Sequence, residues 1–202
     1  MIPKTMCLDN IEYKIVIVGD PMVGKTCIIN RLVDDMFLAD VEPTISPGLY
    51  KIHMKMKDST PVTLNFWDTA GQEKFNCIVP IYARNSCGVF MVFDISNKQS
   101  IQNLEKWYDL VQSHVDNQCK FFVIGNKIDL ASNNTIDMAT DWALEHNFPI
   151  YFVSAKTGER VRDAAAEMAQ TIFNERGKLV YHNPNVNEIL DIELEKKSNC
   201  AC

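Results

Sequence analysis

The sequence predicts an α/β fold, a six-stranded, mostly parallel sheet with one antiparallel edge strand and about five helices on both faces. Three observations carry this. Short apolar runs rich in β-branched residues recur at 13–18, 89–93, 121–124 and 150–153, as strands covered on both faces require. Between them apolar residues return at helical spacing. One further pair of segments alternates apolar and polar residues about a turn, the mark of a hairpin with one wet face. Strands alternating with helices imply parallel pairing through crossover helices.

In chain order, the run 13–18 stops at Gly19, and Ile28, Ile29, Leu32 and Val33 then fall at helical spacing. Tyr50, Ile52, Met54 and Met56 alternate with Lys51, His53, Lys55 and Lys57. The turn Asp58-Ser59-Thr60-Pro61 leads to Val62, Leu64 and Phe66, completing the antiparallel hairpin. Helical stripes follow at Ile101, Leu104, Trp107, Tyr108, Val111 and Val115, then around Met138, Trp142 and Leu144. The last comprises Val161, Ala165, Met168, Ala169, Ile172 and Phe173. Periodicity ends near Gly177. The expected organisation is a short extension (1–11), one globular domain (12–177) and a flexible tail (178–202) ending in Cys200-Ala201-Cys202.

With 202 residues and 47% hydrophobic content, the chain can bury a full core. Its net charge of −6 argues against a nucleic-acid partner. Cys7, Cys27, Cys77, Cys87, Cys119, Cys200 and Cys202 show no zinc-ligand spacing, and their number is odd. Cys27, Cys77, Cys87 and Cys119 lie in or beside apolar stretches and read as small core residues in a reducing compartment. Residues 1–12 lack the apolar core of a signal peptide. The longest apolar run is about five residues, far short of a membrane span. A soluble cytosolic domain is expected, so any membrane contact needs a lipid anchor.

The chemistry is written in the loops after the strands, where ligands bind in such sheets. Gly19-Asp20-Pro21-Met22-Val23-Gly24-Lys25-Thr26 matches G-x-x-x-x-G-K-[ST] between a strand and a helix. Glycines let the backbone wrap phosphate, and successive N–H groups at a helix N-terminus stabilise the anion. The contacting set is Gly19, Asp20, Met22, Val23, Gly24, Lys25, Thr26 and Cys27. Lys25 would reach the β- and γ-phosphates, and Thr26 would ligate Mg²⁺.

Base identity follows from two later loops. The carboxylate of Asp129, in Asn126-Lys127-Ile128-Asp129, can accept the N1–H and exocyclic amine of guanine, a pair adenine does not offer. Asn126 can contact the other ring edge, and the stem of Lys127 can cover the base plane. In Ser154-Ala155-Lys156 a backbone N–H can meet guanine O6. Phe37 could stack edgewise on the base, the alternative being a plain core phenylalanine. Asp68, opening Asp68-Thr69-Ala70-Gly71-Gln72, can hold Mg²⁺ through a water. Gly71 N–H can sense the γ-phosphate, and Gln72 can orient the attacking water. Thr44, in Glu42-Pro43-Thr44-Ile45, can offer its hydroxyl to Mg²⁺ and its N–H to the γ-phosphate. Both contacts vanish with that phosphate, making its loop and the 70–80 region switches. The expected metal ligands are therefore Thr26, Thr44 and Asp68, and Gln72 and Lys25 are expected to act on the reaction.

These motifs together resemble the Ras superfamily of small GTPases over about residues 12–176, within the P-loop NTPase fold. The stretch Trp67 to Phe75, Tyr82-Ala83-Arg84, Phe93-Asp94-Ile95-Ser96 and the Cys200-Ala201-Cys202 ending are similar to the Rab branch. The resemblance implies a monomeric, Mg²⁺-dependent GTP/GDP switch in vesicle trafficking. Its implied partners are an exchange factor, a GTPase-activating protein, effectors, a dissociation inhibitor and the prenylation machinery. It also implies geranylgeranylation of Cys200 and Cys202, which would place the protein on the cytosolic face of intracellular membranes, exchanging with cytosol. Two lipid chains anchor stably where one is marginal.

Two departures modify the expectation. Pro21 stands where the family has a small residue, lacks an N–H and pushes Asp20 toward an extended conformation. Its ring lies near the expected places of Gln72 and of an arginine supplied in trans, so nucleotide binding should survive while hydrolysis or its stimulation changes. Counting back from Trp67 puts Tyr50 at the family's aromatic, with one residue inserted between Thr44 and Tyr50, so the surface offered to effectors differs. The alternatives are a hydrolysis-impaired Rab-like binding module and a Ras-superfamily GTPase of another branch.

Overall fold

A computed structural model describes residues 11–38, 47–69, 78–130 and 133–176. The strands are β1 (Ile11–Gly19), β2 (Gly48–Lys55), β3 (Pro61–Asp68), β4 (Gly88–Asp94), β5 (Lys120–Asn126) and β6 (Ile150–Phe152). They form one six-stranded sheet in the order β2-β3-β1-β4-β5-β6. Every pairing is parallel except β2 with β3, where Leu49 faces Trp67 and Tyr50 faces Phe66. The expected mostly parallel sheet with an antiparallel edge strand is what the chain forms.

The helices are α1 (Lys25–Asp34), α2 (Val79–Ala83), α3 (Lys98–Gln102), α4 (Leu104–Gln112), α5 (Asn133–Glu145) and α6 (Val161–Arg176). The single stripe expected over 101–115 is divided at Asn103 into α3 and α4, and Val115 lies beyond the helix. Asn97 caps α3 by accepting from the Gln99 N–H, as an Asx side chain before a helix does.

Strand alternation sorts the core into two layers. Tyr13, Ile15, Ile17, Leu64 and Phe66 pack with Ile28 and Leu32 of α1 and with Ala165, Met168 and Ile172 of α6. On the other face Val16, Val18, Val89 and Met91 pack with Tyr82, Leu104, Trp107, Val111, Ala139 and Ala143. Tyr50 leans against the first layer. Three expectations need correction. Leu144 is 71% exposed and Val33 is 40% exposed, because Ala139 and Ala143, small enough for close helix–sheet approach, carry the α5 contact, and Leu32 carries that of α1. The run 150–153 is not covered on both faces: β6 closes the sheet edge, and Ile150, Tyr151 and Phe152 are only half-buried.

Sheet order reverses around β1, whose neighbours are β3 on one side and β4 on the other. The crevice beyond the carboxyl ends of the strands at such a reversal is where α/β sheets bind ligands. Gly19, Asp68, Asp94 and Asn126 are the last residues of β1, β3, β4 and β5, and Ser154 follows β6 by two positions. Among the described residues no helix is long and apolar enough to cross a membrane.

Candidate functional site: a loop cradle at the carboxyl ends of the strands

The loop after β1 closes on itself because two glycines permit it. Gly19 has φ 144° and Gly24 φ 94°. A Cβ on Gly19 would overlap the Val92 carbonyl oxygen, and one on Gly24 the side-chain nitrogen of Asn126. Between them Pro21 is followed by Met22 at φ 63°, the residue order and sign of a type II turn, except that glycine or asparagine is the usual occupant of the second place. Gly24 leads into α1, and no side chain caps that helix, so its first amides face the loop.

Lys25 opens α1 and lies buried at the centre of this loop, 6% exposed. Its Nζ donates to the carbonyl oxygens of Gly19 (2.7 Å) and Asp20 (2.8 Å). Burial pushes its pKa down to about 8, against the opposing pull of Asp68 and Asp20. Beside it, Thr26 Oγ1 donates to Asp68 Oδ2 at 2.7 Å, joining α1 to the end of β3. A hydroxyl and a buried carboxylate are hard oxygen donors of the kind Mg²⁺ takes alongside phosphate oxygens, so the residues present fit that ion. Among the described residues no group of three or more His, Cys, Asp or Glu side chains forms an all-protein metal site.

The second half of the site is built from the ends of β5 and β6. Asn126, 1% exposed, donates from Nδ2 to the Val23 carbonyl (2.9 Å) and accepts at Oδ1 from the Ala155 N–H (3.0 Å). One amide thus staples the loop after β1 to the loop after β6. Lys127, at φ 67°, sends Nζ to the Met22 carbonyl (2.9 Å) and to Asp94 Oδ2 (2.7 Å), so its stem is tied at the far end. Burial alone would raise the Asp94 pKa, but Lys127 and Ser96 hold it below the usual carboxylate value. Asp129 lies in the 3-10 turn Ile128–Leu130; its Oδ1 accepts from Ser154 Oγ (2.7 Å), with Lys156 Nζ 3.8 Å from Oδ2. Ser154 Oγ in turn accepts from the Thr157 N–H (3.1 Å).

The sequence-predicted residues Gly19, Asp20, Met22, Val23, Gly24, Lys25, Thr26, Asp68, Asn126, Lys127, Asp129, Ser154, Ala155 and Lys156 therefore converge on one crevice. Cys27 is half-buried, and burial raises its thiol pKa, with Lys127 and Asp68 near enough to act on it. Phe37 is 38% exposed. Thr44, Gly71, Gln72, Cys200 and Cys202 lie outside the described residues.

The sequence reading missed several participants. Arg31 of α1 donates from Nε to the Ala155 carbonyl (3.0 Å) and from Nη2 to the Lys156 carbonyl (2.9 Å), fixing the loop after β6 from the opposite side. Asn103 and Trp107 both bind the Asp20 carboxylate. None of these had a local signal, since their partners lie more than 80 positions away in sequence. Met22 belongs to the expected set, and its positive φ did have a local signal, since a residue after proline in a tight turn is a candidate for it.

The fold and this crevice define a P-loop α/β domain with separate loops at its two ends. Comparison with known proteins places it more narrowly. A family model described as the Ras family matches residues 14–174. The chain is 33% identical to "GTP-binding protein YPTM1" of Zea mays over 79% of its own length and 77% of that protein's. It is 33% identical to "Ras-related protein SEC4" of Candida albicans (79% and 76% covered) and 29% identical to "Ras-related protein Rab-13" of Rattus norvegicus (93% of each). The chain belongs to the Ras family, and it is a GTPase of the Rab type.

Proposed function

We propose that this crevice binds a guanine nucleotide with Mg²⁺ and that the chain acts through it as a GTP/GDP switch in vesicle trafficking. The observation that carries the reading is the Asn126 staple. It holds a phosphate-type loop and a base-type loop in one rigid relation, so a ligand spanning both is gripped at its two ends. The Asp129 carboxylate, oriented by Ser154, accepts the N1–H and amine of guanine; adenine would leave it unpaired, which is costly in a partly buried place.

In this reading Lys25 and the loop amides offset the charge of the β- and γ-phosphates, which is the main protein contribution to phosphoryl transfer. Its lowered pKa reflects a buried ammonium that gains from an anionic neighbour. Thr26, Thr44 and Asp68 hold the Mg²⁺, which when bound neutralises phosphate charge. Gln72 orients the water and Gly71 N–H meets the γ-phosphate. No arginine lies between Asp34 and Thr44, so hydrolysis is slow until a GTPase-activating protein supplies one. Prenyl groups on Cys200 and Cys202 hold the protein on the cytosolic face of intracellular membranes, and exchange factors, effectors and a dissociation inhibitor act on it there.

The test is single-turnover phosphate release from the full chain preloaded with GTP. Slow release that stops on chelating Mg²⁺ and falls in a Thr26→Ala variant supports the reading. Release insensitive to chelation, or none at all with Mg²⁺ present, contradicts it. Localisation of tagged protein with and without the last three residues tests the anchor.

A further inference from the structure

Asp20 presents a chemical problem. It is the second residue of a loop whose architecture suits phosphate, and a carboxylate facing such a ligand would repel it. The carboxylate is instead turned toward α4. Its Oδ2 accepts from Asn103 Nδ2 at 2.7 Å, and its Oδ1 accepts from Trp107 Nε1 at 2.7 Å. Both acceptor oxygens are thus engaged by neutral donors placed in advance. Trp107 is packed into the apolar layer with Leu104 and Val111, and its backbone N–H donates to the Asn103 carbonyl (3.2 Å). Asn103 Oδ1 accepts from Gln99 Nε2 (3.3 Å), which leaves its amide nitrogen pointed at Asp20.

The other end of Asp20 is also fixed. Its carbonyl accepts from Lys25 Nζ at 2.8 Å. One residue therefore ties the lysine at the centre of the loop to the α3–α4 break, on the opposite face of the sheet from α1. If the two donors were removed, the carboxylate would sit partly buried without those partners, free to turn back toward the ammonium and whatever anion it holds.

We propose that Asn103 and Trp107 are positioning residues that keep the Asp20 carboxylate away from the phosphate end of the site, and thereby set the affinity for GTP relative to GDP. This rests on the guanine-nucleotide reading above. The ammonium that binds the Asp20 carbonyl is the one assigned to the β- and γ-phosphates, so a released carboxylate acts most strongly on the terminal phosphate. GTP, with the greater charge there, loses more than GDP.

The experiment measures GTP and GDP dissociation constants on the full chain with Mg²⁺. Trp107→Phe keeps a ring and loses the donor; Asn103→Ala removes the other donor should the first variant fold poorly. Each is expected to shift the ratio of GTP to GDP affinity toward GDP by about tenfold, a differential large enough to reverse a modest preference. In an Asp20→Ala background the same substitutions should shift the ratio no further, which a packing effect would not predict. An unchanged ratio in both single variants, or a shift of equal size without Asp20, overturns the latch. A wild-type chain that binds neither nucleotide overturns the nucleotide reading itself, and the latch with it.

Discussion

Replacing Asn126 with alanine cuts the staple between the two halves of the site. The side chain is buried, with one hydrogen bond of 2.9 Å to the Val23 carbonyl and one of 3.0 Å from the Ala155 N–H. Alanine removes both at once and leaves a carbonyl and an amide without that partner where bulk water reaches poorly. Each such group costs about 1–3 kcal/mol, so the pair costs ~2–6 kcal/mol. Water entering the space left by the amide draws the figure toward the lower end, about 2–3 kcal/mol. That is a large share of the ~5–15 kcal/mol that holds a typical domain folded. Urea unfolding of nucleotide-free protein should show the loss, and bound guanine nucleotide should leave the variant at least about tenfold faster, since ~1.4 kcal/mol already corresponds to tenfold. A stability change under about 0.5 kcal/mol together with unaltered nucleotide release would refute the staple, because surface-type substitutions behave that way.

Other parts of the structure make their own demands. Arg31→Lys keeps the charge but loses the fork that spans the Ala155 and Lys156 carbonyls; it should lower stability by about 1–2 kcal/mol and speed nucleotide release, and wild-type behaviour in both would count against its role. Lys14 is buried under Trp67 with Nζ donating to the Arg84 carbonyl, and burial pushes its pKa from 10.5 down to about 8. Between those pH values the unfolded chain holds the proton and the folded chain does not, so stability rises with pH through that window, by ~3 kcal/mol for this lysine. Above about pH 9 the buried thiols Cys87 and Cys119, whose pKa values burial raises, pull stability the other way. The test is therefore denaturant unfolding of nucleotide-free protein between about pH 7.5 and 9, where Lys14→Met should show a shallower rise than wild type. Lys25, lowered in the same direction, keeps part of the rise, and an identical slope contradicts the assignment. Met22 holds φ 63°, a conformation costing a non-glycine residue about 1–2 kcal/mol. Met22→Gly should be neutral or slightly stabilising after the entropy of the freer unfolded chain, whereas Met22→Val should cost about 1–3 kcal/mol, both read from urea midpoints.

Much of the fold could be read locally. The strand at 13–18, the hairpin at 50–66 and the phosphate-type loop each combine a short-range pattern with a neighbour of the right kind, and each appears where expected. The misreadings share a cause. Leu144 fits a helical stripe but is exposed, because spacing does not say which of several apolar residues the sheet can approach closely; Ala139 and Ala143 can. Ile150, Tyr151 and Phe152 resemble a central strand, yet strand order makes them an edge. The site shows the same division. Among the described residues, the motif positions from Gly19 to Thr26 and at Asp68, Asn126, Asp129 and Ser154 lie together at the crevice. Their relations were not legible in the motifs: Asn126 joins Val23 to Ala155, and the Asp20 carboxylate answers to Asn103 and Trp107. Those bonds exist only once β1, β4, β5 and β6 stand in one sheet with α4 packed on one of its faces.

The most direct measurement is displacement of a fluorescent GDP analogue from the purified chain by unlabelled GDP, GTP and ATP in Mg²⁺ buffer. An acceptor carboxylate at Asp129 and a shared grip on phosphate predict displacement by both guanine nucleotides at near-stoichiometric concentration, with ATP failing at about a thousandfold excess. Equal displacement by ATP, or no retention of the GDP analogue, would contradict the account.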